Sequence, residues 1–208
     1  MTNSIIAIRG YHLNNLDSIF KSFRSVDKKV DLSFEPSIKG IEYLFANYFD
    51  FANQNIGLKG ITYINDWTLI IDPEMVDISD TEKLIQISEK LDSKILMFLS
   101  EKISGHIEFA KIDKSIVRHF CYSDSEVIIN QGIPLEEELG LNFNEKVFSD
   151  DLVTLANKLG VDIEFKNCKN IIVKQLELDE DFQREIAEDK NIMERWSEKN
   201  SKPWWKFW

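Results

Sequence analysis

The chain has 208 residues, of which 43% are hydrophobic, 12% aromatic and 29% charged. That profile belongs to an ordinary globular protein with a core of its own, and it excludes disordered and fibrous classes. Acidic residues number 36 against 25 basic ones, a formal net charge of -11, which repels phosphate backbones and anionic membrane surfaces and makes nucleic acid a poor partner.

No run approaches the roughly 18 apolar residues needed to span a bilayer. Met1 to Gly10 lacks the basic region and long apolar stretch of a signal peptide. A cytoplasmic protein without stable membrane insertion is therefore expected, and its two cysteines, Cys121 and Cys168, are expected to be buried thiols rather than a disulfide.

Along the chain, Ser4 to Arg9 is a short β-rich run ending at Gly10, and Leu13, Leu16, Ile19, Phe20 and Phe23 follow at helical spacing. Ser25 to Lys39 is mixed and charged, with Pro36. Ile41, Leu44, Phe45, Tyr48, Phe49 and Ala52 then form a second helical stripe, an aromatic face expected in the core. From Gly60 to Pro73, two β-rich runs flank the turn-prone pair Asn65 and Asp66, which predicts a hairpin. Leu84, Ile85, Ile87 and Leu91 predict an amphipathic helix of three to four turns capped by Ser79 or Asp80.

Strands are expected over Lys94 to Leu99, His106 to Ile112 and Ser115 to Tyr122, the last two joined by a turn at Asp113 and Lys114, with a further strand at Val127 to Asn130. Gly132 to Lys146 reads as a loop. A helix should then begin at Ser149 or Asp150 and stop at Gly160. Val161 to Phe165 and Ile171 to Val173 are strand-like, and Asp179 to Glu198 is highly charged and expected to be helical.

Strands grouped in local hairpins and interrupted by helices predict an α+β fold: an antiparallel or mixed sheet built from hairpins and covered by helices. We expect a single domain over 1–198, with 1–58 as a candidate N-terminal subregion, and an aromatic C-terminal tail over 199–208.

The eight glycines are scattered, with no phosphate-binding glycine motif. Of His12, His106 and His119, none has a partner at metal-ligand spacing. His119 and Cys121, two apart, share one face of a strand, but the pair alone is a weak zinc or Cys/His catalytic signal. Asp66, Asp72, Glu74, Asp77 and Asp80 gather around the hairpin and the next helix, where turn hydrogen bonds and helix starts account for carboxylates without catalysis. No catalytic, cofactor or metal residue is assigned. The candidate partner-binding residues are the acidic runs Glu136, Glu137, Glu138 and Asp179, Glu180, Asp181, together with the terminal aromatics Trp204, Trp205, Phe207 and Trp208. Those aromatics have three destinations: packing onto the domain, a partner pocket, or an interfacial membrane contact aided by Lys202 and Lys206.

Five segments, K-G-I-T-Y-I-N-D-W-T-L-I-I-D-P, L-I-Q-I-S-E-K-L, S-G-H-I-E-F-A, I-P-L-E-E-E-L-G and D-L-V-T-L-A-N-K-L-G, resemble those of a loose group of bacterial proteins. Several of that group are encoded beside polymorphic or contact-dependent toxins as immunity proteins. The resemblance runs from Lys59 to about Phe165, roughly half the chain, and carries over no functional residue. The ending K-P-W-W-K-F-W is similar to endings of otherwise unlike bacterial proteins and hints at a separable module.

The resemblance implies an immunity protein that neutralises a cognate basic toxin by steric and electrostatic occlusion, without cofactors and without an assigned oligomeric state. Two alternatives stand beside it. One is an enzyme working through the carboxylates near Asp66 to Glu74 or through His119 and Cys121; the other is an adaptor that docks through its aromatic tail.

Overall fold

A computed structural model describes residues 3–101, 104–143, 147–181 and 183–184. Nine strands form one sheet: β1 (Asn3–Arg9), β2 (Ser25–Phe34), β3 (Ile56–Ile64), β4 (Trp67–Ile71), β5 (Ile95–Glu101), β6 (His106–Ile112), β7 (Ile116–Ser123), β8 (Glu126–Gly132) and β9 (Ile171–Leu178). Their order is β2-β9-β3-β4-β1-β5-β6-β7-β8, and every pairing is antiparallel. Among the described residues, four α-helices accompany them: α1 (Leu16–Ser22), α2 (Ser37–Ala52), α3 (Thr81–Leu91) and α4 (Ser149–Lys158). Among the described residues, no helix is long and apolar enough to cross a membrane.

Successive strand residues point to opposite faces, so β1, apolar at every position from Ile5 to Ile8, feeds two cores. Ile5 and Ala7 join Leu69, Phe98, Phe109 and Phe120 in one core, to which α2 adds Ile41 and Leu44 and α4 adds Leu152 and Leu155. Ile6 and Ile8 join Ile61, Ile70, Met97 and Leu99 in the other, with Ile19 and Phe20 from α1 and Leu84 and Ile87 from α3.

Local chemistry sets the boundaries. Asn65 and Asp66 both take positive φ, 51° and 65°, between the paired residues Ile64 and Trp67, the backbone a two-residue type I′ hairpin requires. Asp80 caps α3 by accepting the Lys83 amide at 3.1 Å, and α4 ends at Gly160 with φ 79°.

One stretch left without an element takes one, and two expectations need correction. The charged stretch after Ser25 is strand β2, whose apolar residues Val26, Val30, Leu32 and Phe34 occupy alternate positions. Val161 to Phe165 is a turn rather than a strand: the Asp162 carboxylate accepts the amides of Lys166 (3.2 Å) and Asn167 (2.8 Å), drawing off backbone donors that a ladder would need. The aromatic face of α2 is only partly core. Ile41 and Leu44 are buried, yet Phe49 is 66% exposed, because eight residues at 100° each carry it about 80° round the helix from Ile41.

The second core ends in a layer of charge. Lys59 and Lys174 face each other across β3 and β9, both buried. Lys59 Nζ bridges Asp72 (2.5 Å) and Asp77 (3.0 Å), and the second Asp72 oxygen accepts the amides of Asp77 (2.8 Å) and Ile78 (3.0 Å). Lys174 holds Asp27 (2.9 Å) and Asp31 (2.7 Å). The carboxylates around Lys59 raise its pKa despite burial. Burial in turn raises that of Asp77. Removing one partner of such a pair strands the other charge in low dielectric. Lys59→Met is therefore expected to lower stability by about 3–5 kcal/mol, measured by urea unfolding, and the paired change Lys59→Met with Asp72→Leu should recover part of that loss.

Candidate functional site, a protein interface at the β8 edge

Strands β2 and β8 are the sheet's two edges, and they differ. The β2 edge carries Asp27, Lys28, Lys29 and Asp31 along its length, the charged protection common on natural edges. In β8, E-V-I-I-N-Q-G, the first residue is the sole charge. Among the described residues, no backbone group pairs with its outer side. Exposed apolar side chains lie on it and in the segment that follows it in sequence: Ile128 (58%), Ile133 (85%) and Leu139 (74%).

The loop that brings Leu139 to this edge is held by a buried ion pair. Arg118 on β7 is almost fully buried. Its guanidinium donates to both Glu138 oxygens, Nε to Oε1 at 2.8 Å and Nη2 to Oε2 at 2.9 Å, and Nη1 donates to Asn130 Oδ1 (2.6 Å) and the Gln131 carbonyl (3.0 Å) on β8. Glu138 Oε1 also accepts the Leu135 amide at 3.0 Å. This bidentate geometry is the strongest form of charge-assisted pairing. Gly132, opposite Arg118, lets the chain leave the strand: a Cβ there would sit 2.2 Å from the Val117 carbonyl oxygen, at a φ of 85°.

The acidic run Glu136–Glu138, a short 3-10 turn, is thus divided. Glu136 is exposed, Glu137 half-buried, and Glu138 buried and committed to Arg118. Glu138 is therefore not a surface contact for a partner, because its carboxylate is buried and bound to Arg118 and the Leu135 amide. Glu180 and Asp181 are exposed at the end of β9, Asp181 pairs with Arg184, and Asp179 is half-buried beside Arg24. Since β9 lies seven strands from β8, about 30 Å at 4.8 Å per strand, the two acidic runs do not share a surface. Trp204, Trp205, Phe207 and Trp208 lie outside the described residues, as does most of the expected helix over Asp179 to Glu198.

Beside the β7–β8 turn lies a cleft of about 660 Å³ lined by Glu101, Ser104, Tyr122, Asp124 and Phe148 among others. It places two carboxylates and the exposed ring of Phe148, 52% accessible, next to the start of β8.

On the opposite sheet face, β6 and β7 assemble a polar group that sequence spacing had shown only in part. Glu108 sits across from Cys121, with His106 two residues before it and His119 two before Cys121. The Nε2 groups of His119 and His106 donate to Glu108 at 2.7 and 3.2 Å. Burial pushes the Glu108 carboxyl up, but these two bonds outweigh it and hold its pKa at about 2, while the bond to Glu108 raises that of His106. Burial, with the Glu108 charge, lifts the Cys121 thiol to about 11. Glu108 was not singled out, because His119 and Cys121, which join it and His106, come from the neighbouring strand. Cys168 is separate and half-buried, its Sγ 3.3 Å from Thr62 Oγ1.

Of the carboxylates around the first hairpin, Asp72, Glu74 and Asp77 gather about Lys59, Glu74 and Asp77 lining a cleft beside it and burial raising the pKa of both, while Asp80 pairs with Lys83 and Asp66 stays apart. Asp66 is at the turn with Arg9 (2.8 Å) and Tyr63 (3.1 Å), at the far end of β4 from Asp72 and Asp77, which bind Lys59.

Glu138→Gln should lower stability by about 3–5 kcal/mol in urea unfolding by leaving the Arg118 charge short of its partner, whereas Glu136→Gln should change it by less than about 0.5 kcal/mol. Equal effects at the two positions would overturn this division of the acidic run.

No protein-family model, curated protein or solved structure matches the chain.

Proposed function

We propose that this chain is a cytoplasmic immunity protein that binds a basic toxin at the β8 edge and neutralises it by occlusion, without chemistry of its own. The observation that carries the proposal is an edge strand whose outer backbone is unpaired among the described residues, with Ile128 exposed on it and Ile133 and Leu139 exposed in the segment that follows it. Isolated surface hydrophobics need no explanation; several beside an unprotected edge mark a surface that exchanges water for a partner.

Charge selects the partner's chemistry. Glu126 and Glu136 flank the apolar residues, Glu101 and Asp124 line the adjoining cleft, and the chain as a whole carries -11. Such a surface speeds encounter with a basic protein and disfavours acidic ones. In this reading, helices cover both faces of the sheet, so the β8 edge is the place where backbone hydrogen bonding is on offer. A toxin strand added there would take its affinity from main-chain pairing and its specificity from side chains packed on Ile133 and Leu139. A basic side chain from the toxin would enter the cleft between Glu101 and Asp124. The immunity role extends the resemblance of residues 59 to about 165, and the edge supplies it with a surface.

The test is affinity capture from the source cells with the full-length chain, followed by expression of the captured protein in a host with and without this chain. One stoichiometric basic partner that arrests growth alone and is silenced by co-expression is expected. Ile133→Asp and Leu139→Asp should each weaken its binding about ten- to hundredfold, roughly 1.4–2.8 kcal/mol, with urea unfolding unchanged. Glu136→Lys should slow association and flatten its salt dependence. A captured partner that is harmless on its own, or one bound equally by the Ile133 and Leu139 variants, would sink the proposal.

A further inference from the structure

We infer that His106, Glu108 and Cys121 form a binding site for a divalent cation of the zinc class, with His119 positioning Glu108. Their ligand atoms, an imidazole nitrogen, a carboxylate oxygen and Sγ, all lie within 4.8 Å of one another. A tetrahedral zinc bonded to sulfur at about 2.3 Å and to nitrogen or oxygen at about 2.0–2.2 Å holds its ligands roughly 3.3–3.8 Å apart. His106 Nε2 and Glu108 Oε2 are already 3.2 Å apart, so closure asks only for rotation of the Cys121 and His106 side chains.

The backbone holds the ligands in place. His106 and Glu108 are two residues apart on β6, hence on one face, and Glu108 is the register partner of Cys121 on β7. Both strands are flanked by further strands, so the ligands' Cα positions do not depend on the cation. His119 donates to Glu108 Oε1 at 2.7 Å, which orients the carboxylate and leaves Oε2 turned toward His106 and Cys121. A neighbour that fixes a ligating carboxylate in this way is the usual support of a metal site. The His106 side chain is 25% exposed and that of Glu108 14%, giving the cation a path from solvent and room for water as fourth ligand. Glu101, the register partner of His106, and Asp124 add negative potential at the rim.

The donor set chooses the metal. One thiolate and one imidazole beside a single carboxylate suit zinc, cobalt or copper, and poorly suit magnesium or calcium, which require mostly oxygen ligands. On binding, the cation takes the place of the Cys121 thiol proton and of any proton on His106 Nε2, both of which leave to solvent; no redox change is involved. The cation site shares the rim residues Glu101 and Asp124 with the cleft beside β8 but none of its ligands, and its test reads metal binding alone, so each proposal can fail by itself.

Cobalt titration of the full-length protein after chelation tests it. Co²⁺ is expected to bind once per chain, with the thiolate-to-cobalt charge-transfer absorption and the visible bands of a four-coordinate ion, and zinc should displace it. Cys121→Ser should abolish the charge-transfer band, Cys168→Ser should leave it intact, and His119→Gln should weaken binding roughly ten- to hundredfold while keeping the band. Far-ultraviolet circular dichroism checks that each variant is folded; should Cys121→Ser unfold, His106→Gln with native mass spectrometry of bound zinc decides in its place, zinc retained at wild-type affinity counting against the site. Absence of the charge-transfer band in the wild type under excess Co²⁺, or its persistence in Cys121→Ser, would overturn the inference.

Discussion

Strand β1 is hydrogen-bonded to β4 on one side and β5 on the other, and its Ile5, Ile6, Ala7 and Ile8 are all within 1% of full burial. A strand apolar on both faces cannot sit on a one-sided sheet, since one row of side chains would face water. Its presence at the centre obliges the chain to supply apolar material twice. The element order answers that demand: α1 and α3 contribute to one core, α2 and α4 to the other. The insertion of β9 between β2 and β3, and of β1 between β4 and β5, follows from the same constraint, because these pairings join chain ends far apart in sequence into one continuous pair of cores.

Toward β2 and β8 the apolar supply runs out, and buried cations take over. Lys59 terminates the second core against Asp72 and Asp77, Lys174 does so against Asp27 and Asp31 of β2, and Arg118 terminates the first against the loop 133–139. Each cation is paired with carboxylates from another element of the fold, and the pairs work as positioning devices more than as net stabilisers, since desolvation offsets most of their attraction. Arg118 shows this use: its guanidinium donates to both Glu138 oxygens and to two groups of β8, fixing the course of the loop that carries Glu138. An acidic chain thus spends part of its carboxylate excess internally, and the exposed surface is less uniformly negative than the net charge implies.

Hairpins and amphipathic helices were legible because their signals are local. Asn65 and Asp66, Asp80 before Thr81, and Gly160 after α4 each announce their role through backbone chemistry within a few residues. What escaped depends on distant partners. Strand β2 hides its alternation under Lys28, Lys29 and Asp31, because at an edge the charged residues answer to solvent and to β9 rather than to a core. Val161 to Phe165 has strand-like composition, yet Asp162 captures the local amides. The Glu136–Glu138 run looks homogeneous; that its third member is buried follows from Arg118, twenty residues away. His119 and Cys121 were visible as a pair, but Glu108 completes the group only through the β6–β7 register, which composition does not encode.

The contrast between the two edges is where fold and function meet. Natural sheets guard their edges with charge, and β2 does so with four charged residues over five positions. At β8 the same chain leaves valine, two isoleucines and uncharged amides, and follows them with the exposed Ile133 and Leu139. Such an edge is a liability in a free monomer, so keeping it makes sense if it is occupied for part of the protein's life. On the proposed reading the surrounding acidity would act in two ways: it would repel a second copy of the same acidic chain, limiting edge-to-edge aggregation, and would attract a basic partner to the same place. One charge distribution therefore resolves the conflict between an open edge and solubility, which makes the acidity of the chain a condition for exposing β8 at all.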